Sequence, residues 1–100
     1  MADKSYYVYF ITNKYNNVLY IGVTNDLKRR IWEYKTGRGG GFAKKYNCDK
    51  LVCYEIFGEI NDALNREGQL KKWVRDKKNV LVNRENPLWQ DWWESIAHQC

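Results

Sequence analysis

Aromatic and β-branched residues recur in two runs near the start of the chain. They dominate from Tyr6 to Thr12, and the same composition resumes from Val18 to Val23. Residues 13–17, which separate the runs, are rich in asparagine, a residue that favours turns. We therefore expect two antiparallel strands joined as a β-hairpin.

Two longer segments carry apolar residues at helical spacing. The first follows the N-cap candidates at 24–26 and runs to about Thr36, where Gly37 ends it. The second runs from Ile60 to about Lys78.

The remaining segments complete the predicted elements. Glycines at 37 and 39–41 form a flexible connection, and Phe42 to Tyr46 is expected to form one short helical turn. Leu51 to Phe57 has strand composition, and Pro87 opens an aromatic-rich final helix through Ile96.

These elements follow one another in the order ββαβαα. This order predicts an α+β fold with a small three-stranded antiparallel sheet flanked by helices. One hundred residues, 44% of them hydrophobic, suffice for one core, so residues 1–100 are expected to form a single domain.

Two charged residues fall where helical periodicity places the core. Arg30 lies among Leu27, Ile31 and Tyr34 in the first helix, and Glu67 interrupts the apolar stripe of the second. That stripe consists of Ile60, Ala63, Leu64, Leu70 and Val74. A buried, isolated charge costs several kcal/mol, so the two residues either form a buried salt bridge or line a wet cleft. Periodicity leaves both interpretations open.

Tyrosines crowd the predicted hairpin. For Tyr6 and Tyr7 we expect cross-strand aromatic packing. Tyr9 and Tyr20 fall on neighbouring rungs of adjacent strands, so we expect their hydroxyls to converge where Arg30 also reaches. Hydroxyls and a guanidinium are suited to binding a phosphate.

Composition restricts the classes of function. The net charge of +5 favours a polyanionic partner, although only weakly. Cys48, Cys53 and Cys100 form no C-x-x-C pair and are odd in number, which argues against a disulfide framework or a zinc ribbon. His98 is the only histidine, so histidine-rich metal sites are excluded. No apolar stretch approaches the roughly 18 residues of a membrane span. We expect a cytoplasmic protein without a membrane partner.

Five ordered segments resemble the GIY-YIG nuclease family, and the chain looks most like its small single-domain bacterial members. The tyrosine motif is Tyr7-Val8-Tyr9 followed by Tyr20-Ile21-Gly22, with Tyr7 in place of the first glycine of the motif. The other four segments are residues 25–30, 42–46, 66–69 and 86–89.

The resemblance implies a metal-dependent endonuclease that hydrolyses phosphodiester bonds in nucleic acid, expected to be DNA. Tyr9 and Tyr20 match the motif tyrosines, which hydrogen-bond near the scissile phosphate and the attacking water. Arg30 matches the arginine that stabilises negative charge on the phosphate, a role suited to its fork of donors.

The resemblance also implies a metal site. Glu67 matches the sole metal-binding carboxylate, for one Mg²⁺ or Mn²⁺ ion that keeps several waters, and no small-molecule cofactor is implied. Asn86 matches an asparagine that holds the site together, with the nearby Asn83 as the alternative.

Two positions depart from the family pattern. Tyr34 stands where many members carry a histidine, which leaves the general base open among Tyr9, Tyr20, Tyr34 and a metal-bound water. Gly68 stands where related small members commonly have lysine, and glycine within a helix costs about 1 kcal/mol relative to alanine.

Basic residues are candidates for contacts with the nucleic-acid backbone. Those predicted to bind nucleic acid are Lys44, Lys45, Lys71, Lys72 and Arg75. An ordinary solvated helix face is the alternative interpretation. Trp89, Trp92 and Trp93 are predicted to pack onto the core rather than to stack on bases.

Two rival functions follow from the same residues. One is a nucleic-acid-binding module of the same fold with weakened catalysis. The other is a structural domain in which Arg30 and Glu67 form a buried ion pair. Substrate preference and oligomeric state are not determined by the sequence.

Overall fold

A computed structural model describes residues 4–97 and contains a three-stranded antiparallel sheet with the strand order β2-β1-β3. The strands are β1 (Tyr6–Thr12), β2 (Leu19–Thr24) and β3 (Lys50–Phe57). The helices are α1 (Leu27–Lys35), α2 (Gly41–Lys45), α3 (Ile60–Lys71), α4 (Arg75–Glu85) and α5 (Trp93–Ala97). The predicted α+β class, the hairpin and the third strand are confirmed, and α2 is the short turn expected between α1 and β3.

The central strand β1 is buried from Val8 to Thr12 because helices cover both faces of the sheet. Its alternate side chains point into two separate cores. Val8 and Phe10 pack with side chains of α3 and α4, namely Ala63, Leu70, Leu81 and Val82. Tyr9 and Ile11 pack with side chains of α1, α2 and α5, namely Leu27, Ile31, Ala43 and Ile96.

Helix α1 begins and ends close to the predicted positions. The Asp26 side chain accepts a hydrogen bond from the Arg29 amide at 3.1 Å, as an N-cap does. Thr36 is the C-cap, and Gly37 follows it in the left-handed region with φ 77°. Because Leu27 and Ile31 are buried, the rotation of α1 about its axis is fixed.

The predicted helix from Ile60 to about Lys78 is wrong in extent. Helix α3 ends at Lys71, and α4 begins at Arg75 and continues to Glu85. Between them Trp73 packs against the core of α3 and α4, with the Arg66 guanidinium 5.3 Å from its ring centre. Trp73 is partly buried at this break, and the periodicity along α3 does not reveal such a tertiary contact.

The predicted apolar stripe is also narrower than expected. Ala63 and Leu70 are buried, whereas Ile60, Leu64 and Val74 are exposed. Val74 lies in the break between the helices, so the helical spacing no longer applies to it.

The final helix begins at Trp93 rather than at Pro87. The preceding residues instead lie along the outer edge of β3. The Trp92 amide donates to the Leu51 carbonyl at 2.8 Å, and the Leu51 amide donates to the Asp91 carboxylate at 3.2 Å. An edge strand needs partners for its free backbone groups, and this segment supplies them in place of a longer helix.

The tryptophans of this region pack as predicted. Trp89 lies against the core of α3 and α4, and Trp92 and Trp93 lie against the core of α1, α2 and α5. Across residues 4–97, no helix is long and apolar enough to cross a membrane.

Replacing Gly68 with alanine is expected to stabilise the protein. Gly68 lies within α3, and a Cβ added there meets no atom within 4 Å. Gly68→Ala should therefore raise the free energy of unfolding by about 0.5–1 kcal/mol, measured by urea denaturation.

The matched control is Gly37→Ala. A Cβ on Gly37 also meets open space, but its φ of 77° is unfavourable for alanine. This variant should lose about 1 kcal/mol. A destabilising effect of Gly68→Ala would contradict the presence of open space for a Cβ at this position.

Candidate active site

A pair of hydrogen-bonded tyrosines lies at the centre of the site. Tyr9 on β1 is 1% exposed, and its hydroxyl lies 2.6 Å from the hydroxyl of Tyr34 on α1. Their ring centres are 6.0 Å apart. A buried phenol requires a hydrogen-bond partner, and Tyr34 is that partner for Tyr9.

Each tyrosine of the pair lies against a glycine. Gly22 pairs with Tyr9 across β1 and β2, and a Cβ on Gly22 would overlap the Tyr9 hydroxyl. A Cβ on Gly39 would overlap the Tyr34 ring. The motif glycine therefore makes room for a motif tyrosine. The role of Gly39 was not predicted, because in sequence it is one glycine of a flexible cluster.

The environment of Tyr9 keeps its phenol neutral. Burial raises the pKa of Tyr9 well above its ordinary value of 10.0, and the hydrogen bond with Tyr34 raises this pKa further. The positive charge of Arg30 lowers this pKa but does not outweigh burial. Tyr9 therefore acts as a hydrogen-bonding phenol rather than as a phenolate.

Arg30 borders the tyrosine pair and faces solvent. Its side chain is 41% exposed and forms an ion pair with Glu33, with Nε and Oε1 3.4 Å apart. Partial burial acts to lower the pKa of Arg30, but the neighbouring phenols of Tyr9 and Tyr34 outweigh this effect and raise it. Glu33 was not among the predicted site residues, although its i, i+3 spacing from Arg30 could have indicated it.

Arg30 also borders open space. A polar cleft of about 440 Å³ adjoins the guanidinium at the start of α1. Its lining comes from Thr24, Asn25, Asp26, Arg29, Arg30 and Glu33. The cleft leaves Arg30 accessible from outside.

Of the two interpretations left open for Arg30 and Glu67, the buried ion pair between them does not hold. Arg30 pairs with Glu33, whereas Glu67 pairs with Lys71, with Nζ and Oε2 3.4 Å apart. Each charge has a partner on its own helix, so neither depends on the other. A structural domain built on a buried Arg30–Glu67 pair is therefore excluded.

Tyr20 lies between the tyrosine pair and Glu67. It shares a sheet face with Tyr9, because Tyr20 pairs with Ile11 on β1, and it is close enough to contribute to the raised pKa of Tyr9. The Lys71 ammonium lies 5.7 Å from the centre of the Tyr20 ring and also contacts Glu67. Hydrogen bonds and electrostatic influence thus link Tyr9, Tyr20, Arg30 and Tyr34, and Lys71 joins Tyr20 to Glu67.

Glu67 offers an oxygen donor of the type that a hard divalent cation takes. The Glu67 side chain is 19% exposed, and residues 4–97 contain no cluster of three or more His, Cys, Asp or Glu side chains that could hold a metal. An ion at Glu67 would take its remaining ligands from water and phosphate, the mode that Mg²⁺ favours. His98 and Cys100 lie outside the described residues.

Asn86 is buried, with 4% of its surface exposed. Its side-chain amide donates to the carbonyls of Val52 at 3.0 Å and Gln90 at 2.8 Å. Asn86 thus ties the C-terminal segment to β3. Asn83, the alternative to Asn86, is exposed and accepts a hydrogen bond from the Trp89 indole.

The side chains predicted to contact nucleic acid differ in whether they already have partners within the protein. Lys44, Lys45 and Lys72 are exposed, and Lys71 is held near Glu67. The Arg75 guanidinium instead donates to the backbone carbonyls at positions 16 and 17, at 2.8 and 3.2 Å. Arg75 anchors the β1–β2 turn to α4, so its donors are already committed.

Comparison with known proteins identifies the family of this chain. Residues 5–79 match the family model described as "GIY-YIG catalytic domain". The chain belongs to the GIY-YIG family, a family of nucleases. The predicted resemblance is thereby confirmed.

Among similar proteins, a UPF0213 protein of Limosilactobacillus reuteri is 35% identical over 84 residues, covering 82% of this chain and 86% of the relative. A UPF0213 protein of Haloquadratum walsbyi is 33% identical over 77 residues, or 77% of this chain and 86% of the relative. The solution NMR structure of a UPF0213 protein from Bacillus halodurans has a TM-score of 0.56 and 28% identity, covering 87% of this chain and 92% of that one.

Alanine in place of Gly22 or Gly39 is expected to disturb the tyrosine pair. Gly22→Ala and Gly39→Ala place a methyl group where the Tyr9 hydroxyl and the Tyr34 ring lie. Each should lower the free energy of unfolding by about 1–3 kcal/mol, measured by urea denaturation. Gly58→Ala is the control, because a Cβ there meets nothing within 4 Å. Equal effects at all three positions would contradict the proposed packing.

The raised pKa of Tyr9 predicts a loss of stability at alkaline pH. Above pH 10 the unfolded state releases the Tyr9 proton while the folded state keeps it, so unfolding becomes more favourable as pH rises. Between pH 10 and 11 the free energy of unfolding of the native protein should fall further than that of Tyr9→Phe. The difference between the two losses should be at most about 1.4 kcal/mol. Tyr15→Phe, at a 70% exposed tyrosine, should leave the slope unchanged. Identical slopes for Tyr9→Phe and the native protein would contradict the assignment.

Proposed function

We propose that this protein is a metal-dependent endonuclease that hydrolyses phosphodiester bonds in nucleic acid, with DNA as the expected substrate. The observation that carries the proposal is the hydrogen-bonded pair of Tyr9 and Tyr34 beside the exposed guanidinium of Arg30. Phenols and a guanidinium on one surface offer several donors to a phosphate. Membership of the GIY-YIG family supports the reaction class.

Arg30 serves to bind the scissile phosphate and to stabilise its developing charge. Its guanidinium is accessible, and its ion pair with Glu33 at 3.4 Å is one that a phosphate oxygen can replace. A charge-assisted fork to phosphate is shorter and stronger than this contact. Arg30 therefore contributes most when negative charge increases on the phosphate.

The tyrosines position the phosphate and the attacking water. Tyr9 is a neutral phenol whose hydroxyl is already held by Tyr34, so it is suited to orienting a reactant through a fixed hydrogen bond. The same burial makes Tyr9 a poor proton acceptor. We therefore assign Tyr9 to positioning rather than to proton transfer.

Glu67 is the residue that would hold the divalent cation. When bound, Mg²⁺ would neutralise charge on a phosphate oxygen. Lys71 holds the carboxylate at 3.4 Å, and its ammonium lies near the Tyr20 ring. Lys71 is thus placed to contact phosphate oxygens once Glu67 has another partner.

The proposal is tested with Glu67→Gln and Arg30→Lys on single-stranded, duplex and branched DNA and on RNA, with Mg²⁺ or Mn²⁺. Glu67→Gln removes the negative charge at nearly constant shape, and Arg30→Lys keeps the charge but loses the fork. Both should lower the cleavage rate by about 100-fold or more. Glu85→Gln, at an exposed glutamate of α4, is the control and should retain the native rate.

Binding measured alongside cleavage separates the two nucleic-acid functions. An endonuclease should show metal-dependent products that disappear in Glu67→Gln while affinity persists. Affinity without cleavage of any substrate would instead identify a binding module. Absence of both would reject the proposal.

A further inference from the structure

A row of three aromatic rings leads from the candidate active site to the surface of α2. Tyr20 stacks on Phe42 with ring centres 5.7 Å apart and an interplanar angle of 26°. Phe42 in turn contacts Tyr46 with ring centres 4.6 Å apart. We call Tyr20, Phe42 and Tyr46 the aromatic row. Its inner end is a predicted catalytic tyrosine.

The outer two rings of the aromatic row remain open to solvent. Phe42 is 45% exposed and Tyr46 is 39% exposed, although both are large aromatic residues. In α2 only Ala43 is buried, so this short helix contributes little to the core and presents its other side chains outward. Core packing alone does not account for two adjacent exposed rings.

Positive charge surrounds the exposed rings. Lys44 and Lys45 are exposed on α2, and the Lys45 ammonium lies 5.3 Å from the centre of the Tyr46 ring. The Lys71 ammonium lies beside Tyr20 at the inner end of the row. Aromatic faces interleaved with lysines are the arrangement that binds single-stranded nucleic acid, where bases stack on rings and phosphates contact ammonium groups.

We propose that Phe42 and Tyr46 form a stacking site for the base of an unpaired nucleotide adjoining the phosphate held at Arg30. The inference rests on the proposed function, because the aromatic row lies beside the substrate only if Tyr20 belongs to the active site. It specifies the substrate class as nucleic acid with an unpaired segment. In a continuous duplex the bases stack on one another, so reaching the site costs unstacking energy.

Binding of labelled oligonucleotides tests the inference in the Glu67→Gln background, where cleavage does not interfere. Three probes of equal length are compared by fluorescence anisotropy, namely a thymine single strand, an abasic single strand and a duplex. Phe42→Leu and Tyr46→Leu keep apolar bulk but remove the aromatic face. Each should weaken binding of the thymine strand by at least about fivefold. Binding of the abasic strand, which retains the phosphates, should change less than about twofold.

The matched control is Trp32→Leu. Trp32 is 44% exposed and has the Arg38 guanidinium 4.9 Å from its ring centre, so it reproduces an exposed ring with a nearby cation. This variant should bind all three probes like its parent. Circular dichroism verifies folding, and Tyr46→Leu alone carries the test if Phe42→Leu unfolds.

The outcomes separate the stacking site from the nuclease. An equal loss of affinity for the thymine and abasic strands, or no loss at all, overturns the stacking site even if Glu67-dependent cleavage is present. Base-dependent binding in a protein that cleaves no substrate overturns the nuclease proposal instead and retains the site.

Discussion

The buried phenol of Tyr9 imposes the constraint on which the site depends. A buried hydroxyl on the central strand must have a hydrogen-bond partner. For Tyr9 this partner is the hydroxyl of Tyr34 on α1, 2.6 Å away. Gly22 leaves room for the Tyr9 hydroxyl and Gly39 for the Tyr34 ring, because neither glycine has a side chain. This contact and the buried face of α1 together fix the position of the helix. Arg30 is therefore held beside the phenols with its guanidinium toward solvent.

Local chemistry was sufficient to predict the elements that carry this site. The hairpin, β3 and both ends of α1 follow from strand composition, N-cap side chains and a C-terminal glycine. The break between α3 and α4, where Trp73 packs against the core, was not predicted, because periodicity does not register tertiary contacts. The segment after Asn86 was misassigned for a similar reason, since the free edge of β3 determines its conformation.

Charge patterning identified Arg30 and Glu67 as unusual, and the family resemblance supplied their proposed roles. Periodicity left open whether the two charges pair with each other, and the structure shows that Glu33 and Lys71 on the same helices pair with them instead. The contribution of Gly39 was not evident, because a steric contact between a loop and a helix leaves no periodic signal. The hydrogen bonds from Arg75 to the β1–β2 turn were not evident from the sequence either, because they join residues far apart in the chain.

The outer edge of β3 is completed by residues that lie far along the chain. The carbonyls of Leu51 and Val52 accept hydrogen bonds from Trp92 and Asn86, more than 30 positions downstream. During synthesis on a ribosome, the sheet therefore emerges with an unprotected strand edge that only the last part of the domain can cover. Protection from strand-to-strand aggregation is thus acquired late, and a nascent chain stalled before Asn86 would be the species most in need of a chaperone.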